Sequence, residues 1–438
     1  MRRPVSLVLG TVLALVAATL PAAPALADPV NDSAYGTPLT AVTGAGLVWH
    51  PTTGLSTLAA QPGLTHVTFA TAMASSNHAM RACDSTERAG LPIKPAATVS
   101  WCWESSDATT TTWIPQSVTT SGDADDDGVF GGYSAILSGW NYCTASECGT
   151  STRNNDARVA LVNYNNPAAP AYRWAYLAAP TDGTTTNVNA LDYSNNTFMA
   201  AKAHMGGMAW YGYKLYVTAT GNNSTAVRVF STSEIYQVND GSAAIGKTTA
   251  GYAAFGYQYV LPEIGYYSYA GGTCSMAVDT GVPCFASISL DRSTTPDSLV
   301  ATEYFDDAAL HGRVYRYSLG TGYLLATGAS IQAYRTHVGN LQGVLSFNGV
   351  WYLSHSWATE RGEIWALTTT SGTATSCTKT ESSSHECWSR HPESLTYNYA
   401  TGMVWSVTEW TENQCATENG LVQQCGRALF GFPRTALP

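Results

Sequence analysis

Four five-residue stretches of this chain align without a gap: Ile114-Pro115-Gln116-Ser117-Val118, His204-Met205-Gly206-Gly207-Met208, Asn340-Leu341-Gln342-Gly343-Val344 and His391-Pro392-Glu393-Ser394-Leu395. Each opens a short apolar strand, followed by a turn with Gly or Asn and a second strand ending in aromatic or β-branched residues. The third copy reads on as SFNGVWYLSHS with GEIWAL beyond, and the fourth as TYNYATGMVWSVTEW with RALFGF beyond. This recurrence limits the fold sharply. A lone small sheet cannot bury both of its faces, so its neighbours must cover them, and short antiparallel units repeated at comparable spacing are what a β-propeller needs.

Between the second and third copies, FASISL from Phe285, LVATEY from Leu299 and RVYRYSL from Arg313 read as three strands of a further unit whose opening has drifted. The expected fold is therefore all-β, a propeller of five blades, with six as the alternative if strands before Trp113 form a blade of their own. A β-sandwich also places strands every few residues, but it does not explain the repeated opening. Composition agrees with the β reading: Thr, Tyr, Val and Gly are plentiful, and no long stretch carries a 3.6-residue apolar period. The weaker signals before the repeat include HVTFATA, His66 to Ala72, read as a strand, and another strand around Ala97 to Trp103.

Residues 1–27 read as a secretory signal peptide: Arg2 and Arg3, an apolar run from Val5 to Leu20, and Ala25-Leu26-Ala27 before Asp28. The expected organisation is residues 28–112 as a lead-in able to supply ring-closing strands, and 113–438 as the propeller. No later run of eighteen apolar residues is present, so a secreted, extracellular and monomeric protein with no membrane association after processing is expected. Of 21 basic and 31 acidic residues, loss of Arg2 and Arg3 leaves 19 against 31, a net charge of −12. That balance argues against nucleic acid as a partner. The ten cysteines form five near neighbours, Cys83 with Cys102, Cys143 with Cys148, Cys274 with Cys284, Cys377 with Cys387, and Cys415 with Cys425, which is the expected connectivity in an oxidising compartment. Zinc is the rival reading, but no CxxC pair exists and Cys143 and Cys148 lack a neighbouring His.

PQS, HMGGMAWYGYKLYV, NLQGV, HPESLTY and the terminal RALFGFPR resemble exported β-propeller proteins of filamentous actinobacteria, over the span from about Trp113 to the C-terminus. That group has no settled activity, so the resemblance implies fold and export without implying a reaction. More distantly, Pro392-Glu393-Ser394-Leu395 is similar to blade openings of gluconolactonase-like and phytase-like propellers.

In a propeller the innermost strands run the same way, so their starts gather at one mouth of the central channel. Positions two apart share a strand face. Gln116, His204, Asn340, Gln342, His391 and Glu393 are the polar members of the paired slots this creates. His204, His391 and Glu393 are the candidate catalytic residues, since imidazole and carboxylate supply acid/base chemistry or hold a cation. Gln116, Asn340, Gln342 and Trp210 are the candidate binding residues. Equally, such polar groups can serve the backbone of the next blade, because a buried polar group is costly when unpaired. Gly206-Gly207 would let a ligand or loop approach the backbone closely.

Asp123-Ala124-Asp125-Asp126-Asp127-Gly128 fits DxDxDG, so Asp123, Asp125 and Asp127 are candidate Ca²⁺ ligands. Ser134 stands where an EF-hand has Glu, and an acidic solvent loop reads equally well. Glycosidic cleavage would need two facing carboxylates from among Glu263, Glu303, Glu363, Glu393, Glu409 or nearby Asp residues. GxSxG, HExxH and P-loop motifs are absent. Most of the 13 Trp and 25 Tyr read as packing, with Trp210-Tyr211 and Tyr266-Tyr267 as exceptions suited to sugar stacking. The leading expectation is a hydrolase or lyase that binds and cleaves an extracellular carbohydrate or small polar molecule at the channel mouth. The alternatives are a lectin-like or protein-interaction module, then a structural or inhibitory protein.

Overall fold

The computed structural model describes residues 32–143, 153–181, 197–219, 223–305, 310–378, 383–417 and 423–438. Strands dominate; they form sheets of 5, 13, 2, 4 and 4 strands. The 13-stranded sheet holds two antiparallel meanders. Sheet 1 runs Trp113–Thr120, Ala135–Tyr142, Ala157–Asn163 and Ala171–Pro180. Sheet 2 runs Met208–Tyr211, Lys214–Thr218, Thr225–Ser231 and Tyr259–Tyr269. They join where Tyr259 to Pro262 lies parallel to Ala175 to Ala178.

Sheet 3 runs Phe285–Asp291, Ser298–Glu303, Arg313–Ser318 and Gln332–Arg335. Its strands coincide closely with the three read from the drifted unit. Sheet 4 runs Leu341–Phe347, Val350–His355, Glu363–Leu367 and Gly372–Ala374. Sheet 5 runs Pro392–Asn398, Met403–Thr408 and Ala428–Pro433, and takes its outermost strand, Val99–Cys102, from the N-terminal part of the chain. The first strand of each sheet packs against the first strands of the sheets on either side, and the last meets the first. Both faces of every sheet are therefore covered, which is why strands such as Ala135–Tyr142 are buried at nearly every position instead of alternating.

Residues before Trp113 pass along the outside of this ring. Thr40–Ala41 extends sheet 3, Leu47–Pro51 pairs with Tyr259–Tyr269, and His78–Ala79 pairs with Ala171–Pro180. Open edges are covered in this way. HVTFATA departs from the expected strand: only Thr65–Val67 is extended, and Phe69–Ala74 is helical. Thr68 Oγ1 accepts a hydrogen bond from Thr71 N, while Phe69, Ala72 and Met73 bury one helical face, so a cap and a helical apolar pattern override the β-rich composition.

Four of the five expected disulfides are present, Cys83–Cys102, Cys274–Cys284, Cys377–Cys387 and Cys415–Cys425, with Cα separations of 4.9, 5.1, 6.0 and 5.8 Å. The fifth involves Cys148, which lies outside the described residues. Among the described residues no helix is long and apolar enough to cross a membrane.

Candidate functional site at the strand entrances

The openings seen in the sequence become bulges in the structure. In sheet 1 Pro115 faces Trp140 and Ser117 faces Gly139, leaving Gln116 as the extra residue. Sheet 4 repeats this at Gln342, between Leu341 facing His355 and Gly343 facing Ser354. Sheet 5 repeats it at Glu393 and Ser394, between Pro392 facing Thr408 and Leu395 facing Ser406. Sheet 3 does the same at Ala286, between Phe285 facing Glu303 and Ser287 facing Thr302. The drifted opening is thus Cys284-Phe285-Ala286-Ser287-Ile288; Ser followed by an apolar residue is the signal it shares with PQSV and PESL. Gly206 takes the matching place in sheet 2, next to Gly207, whose carbonyl accepts from Thr218 N. A bulge re-aims its side chain, and here the re-aimed residues are Gln116, Gly206, Ala286, Gln342 and Glu393.

Where that residue is Gly or Ala, space remains. A cavity of about 260 Å³ opens there, lined by His204, Gly206, Phe285, Ala286, Tyr304 and Gln342. Met276 and Cys284, from the loop closed by Cys274–Cys284, complete its wall. His204 and Gln342 are thus brought together as the sequence suggested. The His204 side chain can be reached by solvent from the cavity yet has protein on most sides, and this burial holds its pKa below the usual imidazole value. Asn141 Nδ2 lies 3.4 Å from His204 Nδ1. Donation by that amide leaves the imidazole proton on Nε2. Gly206 and Gly207 serve a different close approach from the one expected. A Cβ on Gly206 would lie 2.4 Å from the Ala286 carbonyl oxygen, and one on Gly207 would lie 2.1 Å from Ile288 N, so the neighbouring strand's backbone fills the place assigned to a ligand or loop.

The other half of the ring is closed. Gln116 Nε2 donates to Glu409 Oε1 at 2.9 Å. Glu393 is 1% exposed, its Oε2 has no hydrogen-bond partner among the described residues, and burial, then the charge of Glu409, push its pKa well above the carboxylate range. His391 does not reach the cavity. Its backbone is left-handed, with φ +44°, and its ring stacks on Trp410 at 3.7 Å with Nε2 3.3 Å from Gln423 Oε1. Burial pushes its pKa down to about 3. His391 therefore stays neutral and packs as a flat ring, which corrects the expectation of a catalytic imidazole at the mouth. Asn340, also left-handed, works through its backbone: its N–H donates to Phe305 O and its carbonyl accepts from Ser356 N.

Two further assignments need correction. Trp210 is fully buried between Phe69 and Phe130, with ring centroids at 5.3 and 4.7 Å, and its Nε1 donates to Thr232 Oγ1, so it cannot stack on a ligand. Asp123, Asp125 and Asp127 do not converge on one centre. The Asp123 carboxylate is buried and accepts from Thr119 Oγ1 at 2.7 Å and from Thr396 Oγ1, with its pKa raised to about 6 chiefly by burial. Asp125 and Asp127 are exposed, and each accepts a backbone N–H two residues on, from Asp127 and Val129. The run is a turn device without the geometry of a calcium loop.

The other proposed carboxylates are also engaged. Glu263 pairs with Arg228, Glu303 with Arg313, and Glu363 Oε2 accepts from Trp365 Nε1. Tyr267 is buried, and Tyr266 stacks on His50 with centroids 4.8 Å apart. Among the described residues, the metal-capable groupings of Cys83 with Cys102 and of Cys415 with Cys425 consist largely of disulfide sulfurs, which offer no thiolate.

No known family profile matches the chain, and no curated protein matches it. Among solved structures it is similar to the GH43_1 enzyme from Xanthomonas citri, with TM-score 0.33 and 11% identity over 74% of this chain and 88% of that one. A chain of a mitotic checkpoint complex gives TM-score 0.29 and 8% identity over 73% and 75%. Trypanosoma rangeli sialidase gives TM-score 0.28 and 12% identity over 79% of this chain and 49% of that one. Similarity at this level assigns no activity, and the site's chemistry rests on its own residues.

Proposed function

We propose that the five meanders are the blades of a five-bladed β-propeller, exported as a monomer to an oxidising extracellular space, which binds one ring of a carbohydrate or a similar small polar molecule at the mouth of its channel. One observation carries this reading. At the single ring position where the other sheets place Gln or Glu, sheets 2 and 3 place Gly206 and Ala286, and a cavity of about 260 Å³ results. Its size lies just below the range of about 300–1,000 Å³ common for drug-sized ligands, which suits a single sugar ring. His204, Tyr304 and Gln342 offer hydrogen bonds, and Phe285 and Met276 offer apolar surface for C–H groups.

Calorimetry against a panel of neutral mono- and disaccharides tests it. His204→Ala and Gln342→Ala are each expected to weaken binding about tenfold, or about 1.4 kcal/mol, with the melting temperature little changed. Undiminished affinity in both folded variants would sink the assignment.

Glycoside hydrolysis is the second reading, favoured by the Glu393 carboxyl, which burial biases toward its protonated form beside the Glu409 carboxylate. An acid paired with a second carboxylate is what glycosidic cleavage requires. Against it, Glu393 is 1% exposed and sits outside the cavity wall. Product detected by mass spectrometry and lost in Glu393→Gln, with binding retained, would favour the enzyme; bound ligand without product favours the binding module.

A further inference from the structure

A second cavity, about 430 Å³, lies between the helices Ser105–Thr109 and Glu412–Thr417. Its wall includes Arg81, Glu87, Thr109, Thr411, Glu412 and Arg427. Nothing in the proposed sugar site involves it.

Arg427 sets its chemistry. The residue is 1% exposed, with its guanidinium 5.2 Å from the Trp140 ring centroid. Nε donates to the Glu409 carbonyl at 2.7 Å, and Nη1 donates to the carbonyls of Asp107 at 3.1 Å and Thr110 at 2.7 Å. Nη2 has no acceptor among the described residues. Carbonyl oxygens satisfy donors without cancelling charge; among the described residues no carboxylate oxygen accepts from this guanidinium, and Glu409 and Asp107 act on it only through their charge.

Other buried or half-buried arginines nearby are treated differently. Arg81 forms a two-point pair with Glu87 at 2.7 and 2.6 Å, and Arg158 donates to Asp107 at 2.8 Å. Burial pushes the Arg427 pKa down to about 9, and the charges of Glu409 and Asp107, neither of which accepts a hydrogen bond from the guanidinium through its carboxylate, offset that only in part. Glu87 offers no relief, since its oxygens already accept from Arg81 and from Asp84 N at 2.9 Å. Glu412, toward the exposed side, has its pKa raised by burial and by a hydrogen bond with Asp84.

We propose that this cavity is a second binding site, independent of the channel mouth, that takes a small carboxylate anion on the free Nη2 of Arg427. A carboxylate oxygen accepts the Nη2–H, and the hydroxyls of Thr109 and Thr411 lie in the same wall as further partners. Asp84 and Glu412 disfavour a dianion, so a monoanionic carboxylate fits better than phosphate. The same chemistry is presented by a uronic acid residue and by a peptide C-terminus.

Titration calorimetry with D-glucuronate, N-acetylglycine, D-glucose and inorganic phosphate separates these cases. Carboxylate binding at least tenfold tighter than phosphate is expected, and glucose binding, if seen, should be insensitive to changes in this cavity. A preference for glucuronate assigns a uronate; a preference for N-acetylglycine assigns a peptide end. Ala416→Phe, which fills the cavity from the exposed side of its helix, should weaken carboxylate binding at least tenfold and leave neutral sugar binding at the mouth unchanged. Arg427→Gln should abolish it if the circular dichroism spectrum is retained, and Ala416→Phe stands as the test if Arg427→Gln fails to fold. The proposal is overturned if neither carboxylate binds, if phosphate binds as well, or if Ala416→Phe leaves carboxylate affinity intact; glucose binding that Ala416→Phe does not change belongs to the channel mouth.

Discussion

The ring of strand entrances is built twice from one backbone device, open on one side and closed on the other. In sheets 2 and 3 the bulge position holds Gly206 and Ala286, and a cavity remains beside His204 and Gln342. In sheets 1 and 5 the same position holds Gln116 and Glu393, and the space is taken by a polar cluster around Glu409. A bulge therefore fixes where a side chain is aimed, while the size of that side chain decides whether the mouth is a hole or a plug. The openings share one role in the fold and divide only in what they leave for a ligand.

The open half depends on close contact between two strand backbones, and there the largest effect is expected. Gly207→Ala would place a Cβ 2.1 Å from Ile288 N, an atom held in a strand and unable to swing aside. A loss of about 3 kcal/mol is expected, visible as a lower urea midpoint with unchanged m-value, because overpacking against backbone costs more than against a mobile side chain. A cost below about 0.5 kcal/mol would mean that sheets 2 and 3 do not meet at this glycine.

The closed half carries two groups with opposite pH signs. Glu393 has its folded pKa raised above the ordinary 4.5, so its contribution to stability is full below pH 4.5 and declines as pH rises toward the folded value. His391 has its folded pKa lowered from 6.5 to about 3, so its contribution is full above pH 6.5 and declines as pH falls toward 3. Glu393→Gln is expected to raise stability at pH 8 by about 1–3 kcal/mol, the cost of a buried group left unsatisfied, with the gain vanishing below pH 4.5. His391→Gln should flatten the acid limb between pH 6.5 and 3 by up to one proton, about 1.4 kcal/mol per pH unit. Parallel wild-type and variant profiles would show that these groups titrate as they do in the unfolded chain, and the closed half would then be wet.

Much of this ring was legible because a repeat compares the chain with itself. Gln116, Gln342 and Glu393 fall on equivalent bulges, as their alignment implied. Ala286 escaped because losing the polar residue erased the feature that marked the others, although that loss opens the cavity. Thr68 in HVTFATA shows a second limit: its β-branched character suggests a strand, and only its hydrogen bond to Thr71 N reveals a helix cap. Trp210 looked available because aromatic rings on strands read alike from either face. Arg427 was invisible for a deeper reason: its partners are carbonyls, and no residue type announces where a carbonyl will point.

The aspartate run extends the same contrast to a loop, with the smallest effect. Asp123 faces inward and holds Thr119 and Thr396 from neighbouring sheets, while Asp125 and Asp127 face solvent and brace only their own turn. A calcium site would tie the three together, so removing any one would cost the bound ion and the stability it confers. The geometry gives a division instead. Asp125→Asn and Asp127→Asn keep an oxygen able to accept the turn's N–H, so each is expected to change stability by less than about 0.5 kcal/mol, with or without added Ca²⁺. A rise in melting temperature with Ca²⁺ that disappears in either variant would overturn this and restore the loop as a metal site. Asp123→Asn, by contrast, keeps one oxygen for the two threonine hydroxyls but puts an amide at the buried Oδ1 position, which has no hydrogen-bond partner among the described residues, so its cost, independent of Ca²⁺, should exceed that of the two exposed substitutions combined.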